Sequence, residues 1–210
     1  RIEETLGRRR ITGLEQHVIV VGLGSIGLAA IDGLRARGVD VVVVERDEGN
    51  RFLPHLRDRE VPVLLADATL SETLDRLRLE RARAVAVLTS DDLTNLETGL
   101  AVRDRLGERW ADVPVVLRLF DRRLAATVSG SFDFRHVRSP AALAAPWFVG
   151  AALGLDVIDT SYVGDQLLLV ARLRVGPGGG LAGLAMRELP ARILVLALER
   201  SDATVQRPRR

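Results

Sequence analysis

Three glycines at a fixed spacing form the part of this sequence best suited to chemistry. They belong to the run GLGSIG at 22–27, which follows the apolar segment 17–21 and precedes a helical segment. The first glycine permits a tight turn, the second lets a phosphate approach the backbone, and the third lets the helix pack closely on a sheet. Helix N-terminal amides would then face the anion. The alternative is a tight strand–helix turn that binds nothing. The predicted contacts are Gly22, Gly24, Ser25, Ile26 and Gly27.

An acidic residue stands where such a phosphate turn needs one. The four consecutive valines at 41–44 are typical of a strand buried on both faces, and Glu45 follows them, 18 residues after Gly27. A carboxylate there can accept two hydrogen bonds from a ribose diol and would repel a 2′-phosphate, which favours NAD or an adenine nucleotide over NADP. Arg46 beside it weakens that discrimination. Glu45 could also be a solvated strand end.

The elements that must position these residues alternate regularly along the first part of the chain. Apolar segments predict strands at 17–21, 41–44, 61–65, 84–88 and 115–119. Helical patterns lie between them at 28–37, at 48–59 (interrupted by Pro54), at 71–79, from about 93 to 106, and from about 121. Strands alternating with helices at this spacing predict an α/β fold with a Rossmann-like, doubly wound parallel sheet.

The pattern changes after Leu155. Residues 166–175 alternate with a period of two, 176–180 (GPGGG) is a turn, 181–189 is predicted as a short helix and 193–198 as a strand. We therefore expect a second, smaller α+β lobe. Before it, the charge-free run Ser139–Leu155 reaches only the lower edge of membrane-span length and contains two prolines, so a buried packing helix is the better interpretation.

Composition excludes several classes of function. All 30 basic residues are Arg and the chain has no Lys or Cys, which excludes a disulfide scaffold, a cysteine-ligated zinc site, a thiol nucleophile, a Walker lysine and a Schiff-base lysine. A net charge of +2 and an aromatic content of 4% give no indication of nucleic-acid binding.

The remaining polar groups have ordinary interpretations. Ser90 is predicted to cap a helix whose first turn carries Asp91 and Asp92, which suits the helix dipole better than a metal site, although a metal stays possible. The isolated histidines are interpreted as packing or surface residues rather than ligands: His17, His55 and His136. The basic segment 8–10 is either a solvated tether or a linker near an anionic membrane surface, and the tail 207–210 is expected to be disordered.

Five segments in a fixed order resemble a known family. They are HVIVVGLGSIG, VVVVERD, LLADAT at 64–69, AVLTSDDLTN at 86–95 and VVLRLFD at 115–121. The chain resembles the RCK family (regulator of potassium conductance), also called the TrkA-type nucleotide-binding domain, from Gly13 to about Leu198. Every Rossmann-type protein shares the glycine run, whereas the ADAT and LTSDD segments are much more specific.

The resemblance implies four further ligand contacts. Asp67 and Ala68 would lie beside the adenine, Thr89 near the middle of the cofactor, and Arg118 would reach the phosphates. These positions lie at the carboxyl ends of predicted strands, where open α/β sheets bind ligands. The alternatives are a turn Asp, a strand-end Thr and a surface Arg.

The resemblance also implies a biological setting. Members are cytoplasmic domains or subunits of potassium channels and transporters, which pair into dimers and assemble into rings that act on a membrane pore. We therefore expect a ligand-sensing regulatory domain at the inner face of the cell membrane. It would bind NAD(H), or ATP, ADP or AMP, would form a homodimer or ring, and would act on a fused or separate membrane-embedded portion.

The expected organisation follows the family. Residues 1–16 form a linker, 17–138 the nucleotide-binding N-lobe, 139–155 the crossover and dimerisation helix, and 156–210 a C-terminal lobe. We expect that lobe to be truncated, and the chain, which starts without Met, to be a piece of something longer. No enzymatic activity is expected. The alternatives are an NAD-dependent oxidoreductase, disfavoured because Lys and Cys are absent and the single Tyr162 lies in the small lobe, and a protein-interaction scaffold.

Overall fold

The computed structural model describes Ile11 and residues 13–163, 166–190, 192–199 and 205–206. The basic segment 8–10 and the tail 207–210 lie outside these residues. The chain divides into two compact units, and the second begins at Val149.

A six-stranded parallel sheet forms the centre of the first unit, in the order β3-β2-β1-β4-β5-β6. Because the order reverses direction between β1 and β4, the crevice for a ligand in such a sheet lies beyond the carboxyl ends of these two strands. The strands are β1 (Val18–Val21), β2 (Val41–Glu45), β3 (Val63–Leu65), β4 (Ala84–Val87), β5 (Val115–Arg118) and β6 (His136–Arg138).

Helices cover this sheet on both faces, which confirms the predicted doubly wound fold. Ile31 of α1 and Leu56 of α2 pack on one face, while Leu74 of α3, Val102 of α4 and Val128 of α5 pack on the other. The valines of β2 are at most 2% exposed, as expected for a strand between two layers. The helices are α1 (Ser25–Arg35), α2 (Leu53–Asp58), α3 (Ser71–Arg76), α4 (Asp92–Leu106) and α5 (Arg122–Ser131).

Several boundaries differ from the sequence prediction. Helix α1 begins at Ser25, three residues earlier than predicted, because the last half of the glycine run is already helical. Pro54 lies in the first turn of α2, where a missing N–H costs nothing, so the proline starts the helix instead of interrupting it. Strand β6 was not predicted, because its three residues His-Val-Arg contain a single apolar side chain.

A charge-free helix follows the sheet. Helix α6 spans Pro140–Ala152, contains Pro146, and lies inside the run predicted as the crossover helix. No helix in the described ranges combines the length and apolar character needed to cross a bilayer.

The second unit departs further from the prediction. Strand β7 (Asp156–Val163), which was not predicted, pairs antiparallel with β8 (Gln166–Arg172), and β9 (Leu198–Glu199) pairs with β10 (Val205–Gln206). The predicted helix at 181–189 is wrong: the segment has a turn and a single 3-10 turn, Met186–Glu188, because Gly183 with φ of 80° interrupts it. The predicted strand at 193–198 is also wrong, since only its last residue enters β9.

Candidate functional site at the carboxyl edge of the sheet

Two glycines of the turn after β1 are required by packing. Gly22 has a φ of 95°, and a Cβ there would lie 2.8 Å from the backbone nitrogen of Thr89. A Cβ on Gly27 would lie 2.1 Å from the carbonyl oxygen of Gly22. Only glycine at both positions therefore lets the ends of β1 and β4 and the start of α1 approach this closely.

The middle glycine has no such internal reason. Gly24 is the N-cap of α1 in an extended conformation (φ −90°, ψ −172°), which any residue can adopt, and a Cβ there would meet nothing within 4 Å. As a glycine it has no side chain that could cap the helix by a hydrogen bond, and the first turn of α1 carries no acidic residue. The open space in front of the amides of Ser25, Ile26 and Gly27 thus suits an anion.

Glu45 lies against this turn, as the sequence predicted. One carboxylate oxygen, Oε2, accepts a hydrogen bond from the N–H of Leu23 at 2.8 Å. The other, Oε1, accepts from the N–H groups of Arg46 and Asp47, both at 2.8 Å. These backbone donors fix the carboxylate beside the glycine turn, where a ribose next to a bound phosphate would meet it.

Asn50 joins the same cluster and was not found by sequence reasoning. Its side-chain amide donates to the carbonyl oxygen of Leu23 at 3.0 Å and to Glu45 Oε2 at 3.2 Å. The sequence offers only a weak signal for it, an Asn shortly before a helix start.

After β3, Asp67 has its side chain at the candidate site, whereas the side chain of Ala68 does not face it. Asp67 Oδ1 accepts hydrogen bonds from Thr69 N at 2.9 Å and from Thr69 Oγ1 at 2.7 Å, and these bonds lower the pKa of the Asp67 carboxyl. The exposed Arg46 guanidinium is 3.9 Å from the other oxygen. Ala68 is buried within the hydrophobic core, so only its backbone could face a ligand.

Thr89 and Arg118 meet at the ends of β4 and β5. Arg118 Nη1 donates to the carbonyl oxygen of Thr89 at 2.7 Å. The Nε atom of Arg118 is buried and has no hydrogen-bond partner among the described residues, so one donor of this guanidinium is unpaired.

Asn95 organises this corner and was also missed. It is fully buried; its Oδ1 accepts from Thr89 N and Thr89 Oγ1, and its Nδ2 donates to the carbonyl oxygens of Thr89 and Arg118. A polar residue on the buried face of α4, in register with Thr98, Gly99 and Val102, was the available signal.

The acidic pair has a structural role that differs in detail from the prediction. Asp91, not Ser90, is the N-cap of α4: its carboxylate accepts from Thr94 N at 2.7 Å, which lowers its pKa. Asp92 instead reaches across to the loop after β5, where it accepts from Phe120 N and Asp121 N at 2.7 and 2.9 Å. Both carboxylates are therefore engaged by backbone amides.

The three histidines make no contact with the residues of this edge in the contacts found for the described residues. His17 is fully buried at the start of β1 and pairs through Nε2 with the carbonyl oxygen of Leu77 at 3.0 Å. His55 is 3.8 Å from Asp32, and His136 begins β6.

The structure thus links most of the predicted residues into one continuous edge. Glu45 contacts the glycine turn through Leu23, Gly22 abuts Thr89, and Thr89 contacts Arg118. Asp67 connects to this edge through its exposed partner Arg46. The residues present fit a phosphorylated ligand, since the helix start is open, the ribose acceptor is in place and an arginine has an unpaired donor.

A model of one protein family covers more than half of the chain. The model, described as the TrkA-N domain, matches residues 18–128, which span β1 to α5. The chain belongs to the TrkA-N family. The matched range contains every predicted contact residue of this TrkA-N domain.

Two longer proteins of known sequence are similar to the domain. The chain is 32% identical over 109 residues to a putative K⁺ efflux antiporter KefB of Alkalimonas amylolytica, and 25% identical over 103 residues to an uncharacterised protein of Methanothermus fervidus. These matches cover 52% and 49% of the chain but only 16% of each relative.

Solved structures share the fold of this TrkA-N domain. The TrkA-N domain of the inner membrane protein YbaL from Escherichia coli matches with a TM-score of 0.57 at 19% identity, covering 66% of the chain and 98% of that structure. GsuK bound to ADP matches with a TM-score of 0.54 at 26% identity, covering 71% and 38%.

Two further neighbours contain other nucleotides. The GsuK channel bound to NAD has a TM-score of 0.54 at 20% identity, with 73% and 26% covered. The C-terminal domain of Kef from Shewanella denitrificans in its AMP-bound form has a TM-score of 0.54 at 17% identity, with 66% and 79% covered. At these identities the likeness shows the fold alone.

Proposed function

We propose that this TrkA-N domain is a nucleotide-sensing regulatory domain that binds NAD(H), or ATP, ADP or AMP, and controls a potassium channel or potassium transporter. The observation that carries the proposal is the open position in front of Gly24. It is a cradle that the fold itself does not need, at the start of a helix without acidic residues. The neighbours bound to NAD, ADP and AMP support the ligand class.

Each residue of the edge has a role in this proposal. The amides at the start of α1 would bind the phosphate next to the ribose, and Glu45 would accept hydrogen bonds from the ribose diol. Asp67 and Arg46 would border the base. Arg118, at the carboxyl end of β5, would bind a distal phosphate oxygen through its guanidinium.

Regulation would come from a difference in affinity between two shapes of the assembly. A ligand shifts such an equilibrium only as far as it prefers one shape, and a tenfold preference supplies about 1.4 kcal/mol per site. A homodimer or ring would add the contributions of several sites. The domain would act at the cytoplasmic face of the membrane on a pore or transporter portion, fused or separate.

A calorimetric titration of the chain with NAD⁺, NADH, ATP, ADP and AMP tests the proposal. Gly24→Ala should weaken binding at least about tenfold, because the methyl group occupies the space needed by a phosphate and blocks its close approach to the backbone. The matched control is Gly33→Ala in the same helix, where a Cβ makes only an ordinary contact with Arg37 at 3.7 Å. Absence of binding by the unmodified chain to all five nucleotides would overturn the proposal.

We propose a regulatory rather than a catalytic role. Hydride transfer requires an acid–base group beside the nicotinamide, and the sequence contains neither Lys nor Cys. Oxidation of NADH over a panel of carbonyl substrates would instead support the oxidoreductase alternative. For a scaffold without a ligand, Gly24→Ala would leave assembly intact and there would be no nucleotide response to lose.

A further inference from the structure

Phe120 presents an exposed aromatic ring at the carboxyl edge of the sheet, two residues after β5 ends at Arg118. This residue is 61% exposed, whereas Leu119 before it is fully buried. A single exposed apolar side chain is common on protein surfaces and by itself indicates nothing. What distinguishes Phe120 is the way in which its backbone is held.

The backbone around Phe120 is fixed by side chains of two other segments. Its N–H donates to Asp92 Oδ1 at 2.7 Å, and the N–H of Asp121 donates to the other oxygen of the same carboxylate at 2.9 Å. The carbonyl oxygen of Phe120 accepts from Ser139 Oγ at 3.1 Å. A ring on a loop held in this way loses little conformational freedom when it binds a ligand, which favours recognition.

The side of the sheet on which the ring lies follows from the alternation of side chains along β5. Leu117 and Leu119 belong to the core that includes α4, so Arg118 between them points to the opposite side. Phe120 is the next residue on that opposite side. Residues of β1 that face the same way, such as Val20, pack in the core that includes α1. Phe120 therefore lies on the side of the sheet from which α1 presents its open first turn.

The proposed ligand site has two halves, one on each side of β1. Arg46 and Asp67 come after β2 and β3, on the half that would border the base. Arg118 and Phe120 lie at the end of β5, on the other half, beyond the phosphate cradle at Gly24. Neighbouring strands lie about 4.7–4.9 Å apart, which puts β5 about 10 Å from β1. A mononucleotide would occupy only the first half, whereas the second ribose and ring of a dinucleotide would reach the second half.

We infer that Phe120 stacks on the nicotinamide ring of NAD(H), so that this site selects a dinucleotide over a mononucleotide. The inference rests on the proposed function, because it concerns the same site and selects one ligand among those proposed for it. Nicotinamide is a flat aromatic ring, and in NAD⁺ it carries a positive charge that the face of a phenyl ring attracts. Phe120 would act on this ring alone, because the adenosine and the phosphates are bound elsewhere along the edge.

A comparison of NAD⁺ with ADP-ribose isolates the contribution of the nicotinamide ring. The two molecules differ only at this ring, which a hydroxyl group replaces in ADP-ribose. Calorimetry of the full 210-residue chain measures both affinities. We expect the unmodified chain to prefer NAD⁺ at least about fivefold, the size of the effect when a base stacks on an aromatic side chain.

Two substitutions of Phe120 test whether its ring causes this preference. In Phe120→Ala the preference for NAD⁺ should fall to within about twofold of unity, because the stacking surface is removed. The affinity of this variant for ADP-ribose should change by less than about twofold, since ADP-ribose has no ring to stack. Phe120→Trp keeps an aromatic face and should retain the preference. Thermal unfolding checks that both variants are folded.

Leu93→Ala is the matched control. Leu93 is 62% exposed in the first turn of α4, next to the Asp92 that holds the Phe120 loop. The control variant therefore also loses an exposed apolar side chain at this edge, but it loses no aromatic ring and should keep the full preference for NAD⁺. Sedimentation velocity of Phe120→Ala tests the other use of an exposed ring, which is contact with a second protein chain.

The outcomes separate this inference from the proposed function. If the unmodified chain binds no adenine nucleotide, both fail. If it binds NAD⁺ and ADP-ribose equally well, or if Phe120→Ala keeps the preference, only the role of Phe120 is overturned. The inference also fails if Leu93→Ala loses the preference, or if Phe120→Ala changes the state of assembly and leaves the preference intact.

Discussion

The side-chain Nδ2 of Asn95 donates a hydrogen bond to the carbonyl oxygen of Arg118 at 2.8 Å. The same atom donates to the carbonyl oxygen of Thr89 at 3.0 Å. One buried amide on α4 therefore ties together the carboxyl ends of β4 and β5, beyond the last pair of the ladder between these strands, Val87 and Leu117.

Replacement of Asn95 by Ala should destabilise the fold. The substitution leaves Thr89 N and the carbonyl oxygen of Arg118 without this partner, whereas the carbonyl oxygen of Thr89 keeps its bond from Arg118 Nη1. Each unpaired group in such a part-buried corner costs about 1–3 kcal/mol. We expect the free energy of unfolding in urea to fall by about 2–4 kcal/mol. Glu97→Ala on the exposed face of the same helix is the control and should change it by less than about 0.5 kcal/mol. An equal effect of the two substitutions would contradict the role of Asn95.

Replacement of Gly27 by Ala should also destabilise the fold, although Ala is the better helix former. The added Cβ would lie 2.1 Å from the carbonyl oxygen of Gly22, so the backbone must shift. Such overpacking costs about 1–3 kcal/mol. Gly33→Ala in the same helix should instead stabilise by about 0.5–1 kcal/mol, because its Cβ has room. Chemical denaturation of the two variants measures both effects, and a stable Gly27→Ala protein would refute the close approach.

The Thr69 hydroxyl should influence how Asp67 responds to pH. Hydrogen bonds from the backbone N–H of Thr69 and then from its hydroxyl lower the pKa of Asp67 below the ordinary value of 3.8. Asp67 therefore stabilises the fold above that value, and this contribution is lost as the pH falls through the lowered pKa. Thr69→Val removes the hydroxyl donor and should raise the pKa of Asp67 toward 3.8. Carboxyl NMR titration measures the shift.

A stability comparison completes this test. The difference in unfolding free energy between the unmodified chain and Thr69→Val should be larger at neutral pH than in acid, where Asp67 is protonated in both. Thr127→Val, at an exposed threonine of α5, controls for loss of a hydroxyl group. A pKa of Asp67 that stays unchanged in Thr69→Val would contradict the assignment.

The apolar surface of α6 should mediate the proposed homodimer. Leu143, Trp147 and Phe148 are 51%, 46% and 65% exposed, and the two aromatic rings pack edge to face at 5.8 Å. Exposed aromatic and leucine side chains clustered in this way are typical of interaction surfaces. Phe148→Glu should therefore convert a dimer to a monomer in sedimentation velocity experiments.

The control for this prediction is Ala126→Glu, which places the same charge at an exposed position of α5. It should leave the dimer intact. An unmodified chain that sediments as a monomer, or a Phe148→Glu protein that stays dimeric, would exclude α6 as the dimer surface.

The first unit could be predicted well because its signals are local. Consecutive valines, a glycine run and strand–helix alternation each determine a short segment, and parallel pairing then brings the strand ends together. The second unit could be predicted poorly. The acidic residues Asp156 and Asp159 interrupt the apolar pattern by which the strand β7 could have been recognised. Gly183 interrupts a segment whose sequence pattern is helical.

The candidate site was likewise predictable only where its signals are local. Spacing alone pointed to Gly22, Gly24, Gly27 and Glu45, because these positions follow from the geometry of one turn between two neighbouring strands. The spacing could not show why each of the three positions is a glycine. Only the structure shows that Gly22 and Gly27 are glycine for packing, while Gly24 leaves an open space.

By itself, then, the amino-acid order determined the α/β architecture, the glycine turn and the acid beside it. The tertiary structure alone decided which amides hold that site together. The roles of Asn50 and Asn95 could not be assigned from the sequence, because their hydrogen-bond partners lie up to 27 residues away in the chain and meet only after the strands pair. Periodicity can show that such a side chain faces the core, but it does not show which distant backbone groups the side chain binds.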